Sequence, residues 1–159
     1  MPIIRVSLDA NSIDEAITKL KDYQARVEAA GTKIVERLTK DGAKQAQDLV
    51  SYMNAVDTGE LMGSIIGEAD GNKGTITAGT DHAAYVEFGT GVVGAGSPHP
   101  NPVGWAYDIN GHGDAGWIYK GDDGRLHWTR GMPSRPYMYD TAQMLAEAVP
   151  QVAQEVLES

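Results

Sequence analysis

Cysteine is absent from all 159 residues, which removes disulfide frameworks and thiolate chemistry together. No apolar run approaches the ~20 residues needed to cross a bilayer, and the first residues lack the apolar core of a secretory leader. The expectation is therefore assembly inside a cell, without a cleaved leader and with no membrane partner. Basic residues are also scarce: 13 Lys and Arg against 22 Asp and Glu give a net charge of −9. Phosphate binding relies on cations that displace counterions, so tight nucleic-acid binding is disfavoured. Glycine, by contrast, is plentiful at 19 of 159 residues, where an average chain has ~7%. The length suits one domain, 1–159, able to hide roughly 70% of its unfolded surface.

Ile4, Val6 and Leu8 alternate with polar neighbours, the period-2 pattern of a strand with one buried face. Ser12 and Glu15 have the spacing of a capping box at a helix start. From Ile13 to Met53 apolar residues recur at steps of three and four, which keeps them on one helical stripe. A continuous helix over 12–54 would measure ~64 Å. Gly31 and Gly42 each weaken it by ~1 kcal/mol relative to Ala, so a kink or division is expected near one of them. Asp57 and Glu60 repeat the capping-box spacing. Residues 64–80 read as a β-hairpin turning at Asp70–Gly74. Asp81 is placed to cap a short helix over 82–88, which Gly89 would end.

Residues 89–131 change character. Eleven of the 19 glycines fall there, yet the segment also carries Trp105, Tyr107, Trp117, Tyr119 and Trp128. Residues 117–120 and 125–128 flank Gly121-Asp122-Asp123-Gly124, a second hairpin with a four-residue loop. Large aromatics are unfavourable in water and supply much of the energy of interfaces. This insertion is therefore expected to fold on the domain or on a partner, and those five aromatics are the candidate interface. A C-terminal helix follows, with Pro136 in its first turn and a bend or restart at Pro150.

Three short motifs in this order resemble one family. They are Asp57-Thr58-Gly59-Glu60-Leu61, then Ala83-Ala84-Tyr85-Val86-Glu87-Phe88-Gly89-Thr90, then Met132-Pro133-Ser134-Arg135-Pro136-Tyr137-Met138. Together they resemble the head–tail connector (neck or tail-completion) proteins of long-tailed bacteriophages, those similar to gene product ten of the HK-type coliphages. Ser97-Pro98-His99-Pro100 and Gly104-Trp105-Ala106-Tyr107-Asp108 resemble a subgroup from phages of Gram-positive bacteria. The resemblance implies that Thr58, Gly59 and Leu61 begin a hairpin. It implies that Tyr85, Glu87, Phe88, Gly89 and Thr90 form a short helix ending beside the sheet. Arg135, Pro136, Tyr137 and Met138 would return the chain into the C-terminal helix. Tyr85 and Phe88, three apart, would anchor the short helix to the hairpin, and Glu87 is a candidate ion-pair partner of Arg135.

The implied fold is α+β: a small, mainly antiparallel sheet packed against a long N-terminal helical segment and a C-terminal helix, with 89–131 as a Gly/Trp-rich insertion. The sheet would combine the N-terminal strand, the 64–80 hairpin and part of 117–128. The implied function is structural, with no catalysis and no cofactor. Copies would form a ring, taken as a hexamer, at the virion neck or tail end after assembly in the host cytoplasm. Its partners would be itself and the neighbouring head-completion and tail proteins. Genome DNA would pass the channel without specific binding, repelled by acidic charge. A minor tail or capsid-associated component is the alternative within the phage reading. Two rivals stand outside it. Asp108, His112 and Asp114, with Asp81, His82, His99 and His127, could assemble a metal or catalytic site, but no metalloprotease helix motif or nucleophile elbow is present. The tryptophans could instead stack on sugars, as in a glycan-binding module.

Overall fold

Residues Ala10–Tyr52 form one unbroken α-helix, α1, of 43 residues, about 64 Å long at 1.5 Å per residue. The computed structural model describes residues 9–55, 59–121 and 123–158. The expected N-terminal strand, Asp57 of the second capping box and the motif residue Thr58 lie outside these. The expected break in α1 does not occur. The helix also starts earlier than the Ser12–Glu15 pattern implies: Asp9 is the N-cap, its carboxylate accepting from the Ser12 amide at 2.9 Å.

After α1 come a short helix α2 (Glu60–Ser64) and an antiparallel hairpin, β1 (Ile65–Asp70) and β2 (Lys73–Ala78), paired from Ile65↔Ala78 to Asp70↔Lys73. Gly71 opens the two-residue turn with φ 57°. Helix α3 (Ala83–Phe88) is preceded by His82 rather than Asp81, with no side-chain cap. The insertion holds a short helix α4 (Gly91–Gly96), a 3-10 turn at Gly113–Ala115, and a second hairpin of β3 (Trp117–Lys120) with β4 (Leu126–Thr129). A two-residue strand β5 (Gly131–Met132) then returns to the start of the insertion through bridges to Thr90 and Gly91. Helix α5 (Tyr137–Glu158) begins one residue after Pro136 and runs through Pro150 without restarting.

The two hairpins form separate two-stranded sheets, not one. The reason is visible in their burial. Ile65 and Ile76 of the first hairpin face α1, whereas the second hairpin has Ile118, Tyr119, Leu126 and Trp128 exposed. Its loop spans 121–125, one residue longer than expected.

The core gathers Ala46, Leu49 and Val50 of α1 with Leu61, Ile65, Ala83, Val86 and Tyr137. Glycines set its closest contacts. A Cβ at Gly67 would lie 2.7 Å from the Thr39 carbonyl oxygen, and Gly74 lies against the Thr39 hydroxyl. The first hairpin can therefore lie directly on the α1 backbone. Gly42 plays the same part for Ile76 and Leu145, whose terminal methyls would meet a Cβ at 2.5 and 2.6 Å. Its place in α1 reflects close packing rather than a bend. Arg37 adds a 2.7 Å ion pair to Glu155 on α5, a half-exposed contact contributing at most about 1 kcal/mol.

This division of labour is testable in urea. Gly67→Ala should lower stability by about 1–3 kcal/mol, since α1 backbone must move to admit the methyl. Gly31→Ala, with nothing within 4 Å of its Cβ, should raise stability by about 0.5–1 kcal/mol through helix propensity.

Candidate assembly surface

Helix α5 begins with amide donors that need partners. Tyr137 N–H donates to the Arg135 carbonyl (2.8 Å) and Asp140 N–H to the Pro136 carbonyl (2.9 Å). The two between them donate across the fold to one side chain. Met138 N–H reaches Glu87 Oε2 and Tyr139 N–H reaches Glu87 Oε1, both at 2.9 Å. Glu87 is buried, at 7% exposure, so its charge is favourable only because donors and the positive end of the α5 dipole surround it. A third donor completes the set: His99 Nε2 lies 3.0 Å from Glu87 Oε1.

His99 is itself buried, at 5% exposure. Its ring lies between Phe88 and Tyr139, with centroids at 4.4 and 5.3 Å. Its amide donates to the Tyr107 hydroxyl, and Nδ1 sits 2.9 Å from both the amide nitrogen and the carbonyl oxygen of Asn101. With Nε2–H donated to an ionised carboxylate, Nδ1 accepts from the Asn101 amide when the ring is neutral. When the ring is charged, Nδ1 donates to the Asn101 carbonyl instead. One carboxylate thus joins α3, the insertion and α5.

This arrangement corrects the expected Glu87–Arg135 pair. Arg135 points elsewhere, donating from Nε to the Met53 carbonyl at 3.1 Å, while its amide bonds the Val86 carbonyl. The anchoring of α3 differs too. Val86 and Ala83 face the core, whereas Tyr85 is half exposed and meets Trp105 at 5.8 Å. Phe88 stacks on Trp105 at 4.9 Å. Both rings therefore serve the insertion, not the first hairpin. His99 is the member of this junction that sequence reasoning missed: it entered only as a candidate metal or catalytic residue and within the subgroup motif Ser97-Pro98-His99-Pro100.

The remaining motif residues hold the chain at turns. Gly59 precedes α2 with φ 82°, Leu61 is in the core, and Gly89 ends α3 with φ 80°. The Thr90 hydroxyl accepts from the Met132 amide at 3.2 Å.

The five interface candidates divide into two groups. Trp105 donates from Nε1 to the Gly89 carbonyl at 2.9 Å, and Tyr107 accepts from His99, so both fasten the insertion down. Trp117 is half-buried, tilted against His112 at 5.0 Å. Tyr119 and Trp128 are exposed, at 48% and 61%, though Trp128 Nε1 still bonds the Ala115 carbonyl. Between α3 and the second hairpin lies an open cleft of about 940 Å³, lined by Tyr85, Trp105, Tyr107, Trp117, Tyr119 and Arg135.

Asp108, His112 and Asp114 are accounted for by loop structure. Asp108 accepts from the Gly113 and His112 amides at 2.7 and 3.0 Å. Those bonds, Gly113 first, hold its carboxyl below the usual carboxylate range. Asp114 is exposed and 3.7 Å from Arg130. Among the described residues no three metal-ligating side chains converge.

Two outcomes follow from the buried carboxylate. Glu87→Ala should lower stability by about 3–5 kcal/mol, and hydrogen exchange should show the Met138 and Tyr139 amides losing protection ahead of the rest of α5. Tyr137, 1% exposed, titrates at about 12, raised by burial and then by the Glu87 charge. An unfolded tyrosine loses its proton near 10, so the folded state holds this proton more tightly. The associated stability is complete below pH ~10 and declines by roughly 2–3 kcal/mol as pH rises through ~12. Absorbance titration of the native protein should leave one phenol unionised at pH ~11.

Residues 14–89 match the family model described as "Bacteriophage HK97-gp10, putative tail-component". No curated protein and no solved structure matches the chain. The matched span contains most of α1, then α2, the first hairpin and α3, and it stops at the glycine that opens the insertion. Over residues 14–89, just under half of its length, the chain is thus similar to the HK97 gp10-like bacteriophage tail components.

Proposed function

We propose that the protein is a ring-forming subunit of the virion neck or tail-completion layer, set where the head joins the tail around the DNA channel. The observation that carries this reading is the match of residues 14–89 to a tail-component family. The surface supports it. Ile118, Tyr119, Leu126 and Trp128 on the second hairpin are exposed, while the base of the same insertion is locked by Glu87, His99 and Trp105. A rigid base with an apolar outer edge suits a contact between neighbouring copies, and cyclic symmetry closes such a contact into a ring.

The mechanism is geometric and electrostatic. With the −9 charge of each chain, roughly six copies would bring about 6 × −9 = −54 formal charges to the ring. Acidic groups facing the bore would repel the DNA backbone and let the genome slide without sticking.

Electron microscopy of particles lacking this protein should show filled heads separated from complete tails. Joined, ejection-competent particles would refute the connector role. Lysine substitutions at bore-facing acids should slow genome ejection in single-particle assays, and unchanged ejection would argue against the electrostatic part.

A further inference from the structure

Helix α1 is only half used by the fold. Its second half packs against the first hairpin and α5, through Gly42 beside Leu145 and Arg37 beside Glu155. Helix α5 ends at Glu158, and on the other side of that limit every α1 residue from Ile17 to Ala29 is exposed. Thirteen residues, about 20 Å of helix, therefore stand off the body. An isolated helix of that length is marginal in water.

The exposed segment is not polar all round. Ile13, Ile17, Leu20, Tyr23 and Val27 are 41–55% exposed. Ile13, Ile17, Leu20, Gln24 and Val27 follow steps of four, three, four and three, the spacing of a coiled-coil seam. We propose that this seam pairs, parallel and in register, with the same segment of a second copy of the chain.

Three features favour a second copy over a foreign helix. Residues 9–33 carry five acids (Asp9, Asp14, Glu15, Asp22, Glu28) and four bases (Lys19, Lys21, Arg26, Lys33), a net −1, so the other residues carry −8 of the total −9. At net −1, this stretch adds little repulsion between two copies. In the heptad set by the seam, one flanking row is Tyr23 between Ala16 and Ala30, two alanines already buried within the chain. The other row is Asp14, Lys21 and Glu28, and in a parallel pair it faces uncharged residues rather than like charges. Parallel register also sets Gln24 against Gln24, where a polar pair can satisfy itself; any shift sets it against an apolar residue. An in-register pair of like segments is a two-fold contact, so it links copies in twos and leaves ring closure to other surfaces. The proposal deepens the ring reading and rests on it only for its place in the particle. The seam is short beside the ~1,600 Å² of a standard interface, so pairing should be reversible.

The absence of native cysteine makes the test direct. Ile13→Cys, Leu20→Cys and Val27→Cys chains should each cross-link to themselves on oxidation or with a short bismaleimide. Sedimentation of the unmodified full chain should show concentration-dependent dimers. Leu20→Glu should weaken them by about tenfold or more, with circular dichroism confirming an intact fold. A monomer persisting at ~0.5 mM would overturn the proposal, as would cross-linking of Ile13→Cys to Val27→Cys with neither cross-linking to itself, the sign of antiparallel pairing. The two readings separate in particles. A Leu20→Glu chain that still seats normally at the neck removes the seam and leaves the ring; self-cross-linking with no protein in purified virions removes the ring and leaves the seam.

Discussion

A carboxylate buried at the start of a helix constrains this fold more than any apolar contact. Glu87 accepts from two α5 amides and from His99, so its partners come from two stretches of chain outside α3. Hydrogen bonds to a charged group are about twice as strong as neutral ones. The penalty for leaving such a charge unpaired in the interior is larger still. The position of α5, the path of Pro98–Pro100 and the orientation of α3 are therefore coupled: none can move without exposing or orphaning the same two oxygens. Tyr137 resists ionisation, first because it is buried and then because of the Glu87 charge.

The second constraint is steric, and glycine carries it. Gly67 and Gly74 let the first hairpin rest on α1 at Thr39, and Gly42 admits Ile76 and Leu145. At the mouth of the insertion Gly91 and Gly131 lie against the carbonyls of Arg130 and Thr90, with φ of 61° and 105°. A side chain at either would part the two strands of backbone that close the arm into a loop. At these positions glycine allows a close backbone approach, and the arm is a folded element and not a tether.

Much of this was legible in the sequence. Periodicity located both long helices, both hairpins and the short α3, because each rests on local spacing. Local spacing also explains the failures. Gly31 and Gly42 looked like breaks because propensity treats every helical glycine alike, whereas Gly42 is there for close packing. Ser12 and Glu15 had the form of a capping box, but Asp9 was placed to cap first. The union of the two hairpins into one sheet could not be judged without knowing which faces were buried. The Glu87–His99–α5 junction was hidden for a deeper reason. Its members lie up to 52 residues apart, and a trans cap leaves no fixed spacing to read. Glu87 was paired with Arg135, the cation of the third motif, whose donor goes to a carbonyl instead.

The family match and the fold divide the chain at the same place. The matched span ends at Gly89, and Gly89 is where the α3 carbonyl takes the Trp105 indole. The arm beyond it is therefore joined to the matched span by specific bonds at its root, not merely appended. Rigid attachment matters to an assembling subunit, since each mobile side chain or loop ordered on binding reduces affinity by a further increment. Here the ordering is done in advance by Glu87, His99 and Trp105, which leaves Trp128 and its neighbours on a fixed edge. The projecting part of α1 is different: marginal alone, it would gain order on pairing. In the proposed ring the fixed hairpin edge would meet a neighbouring copy, while the two-fold α1 seam would tie copies in pairs.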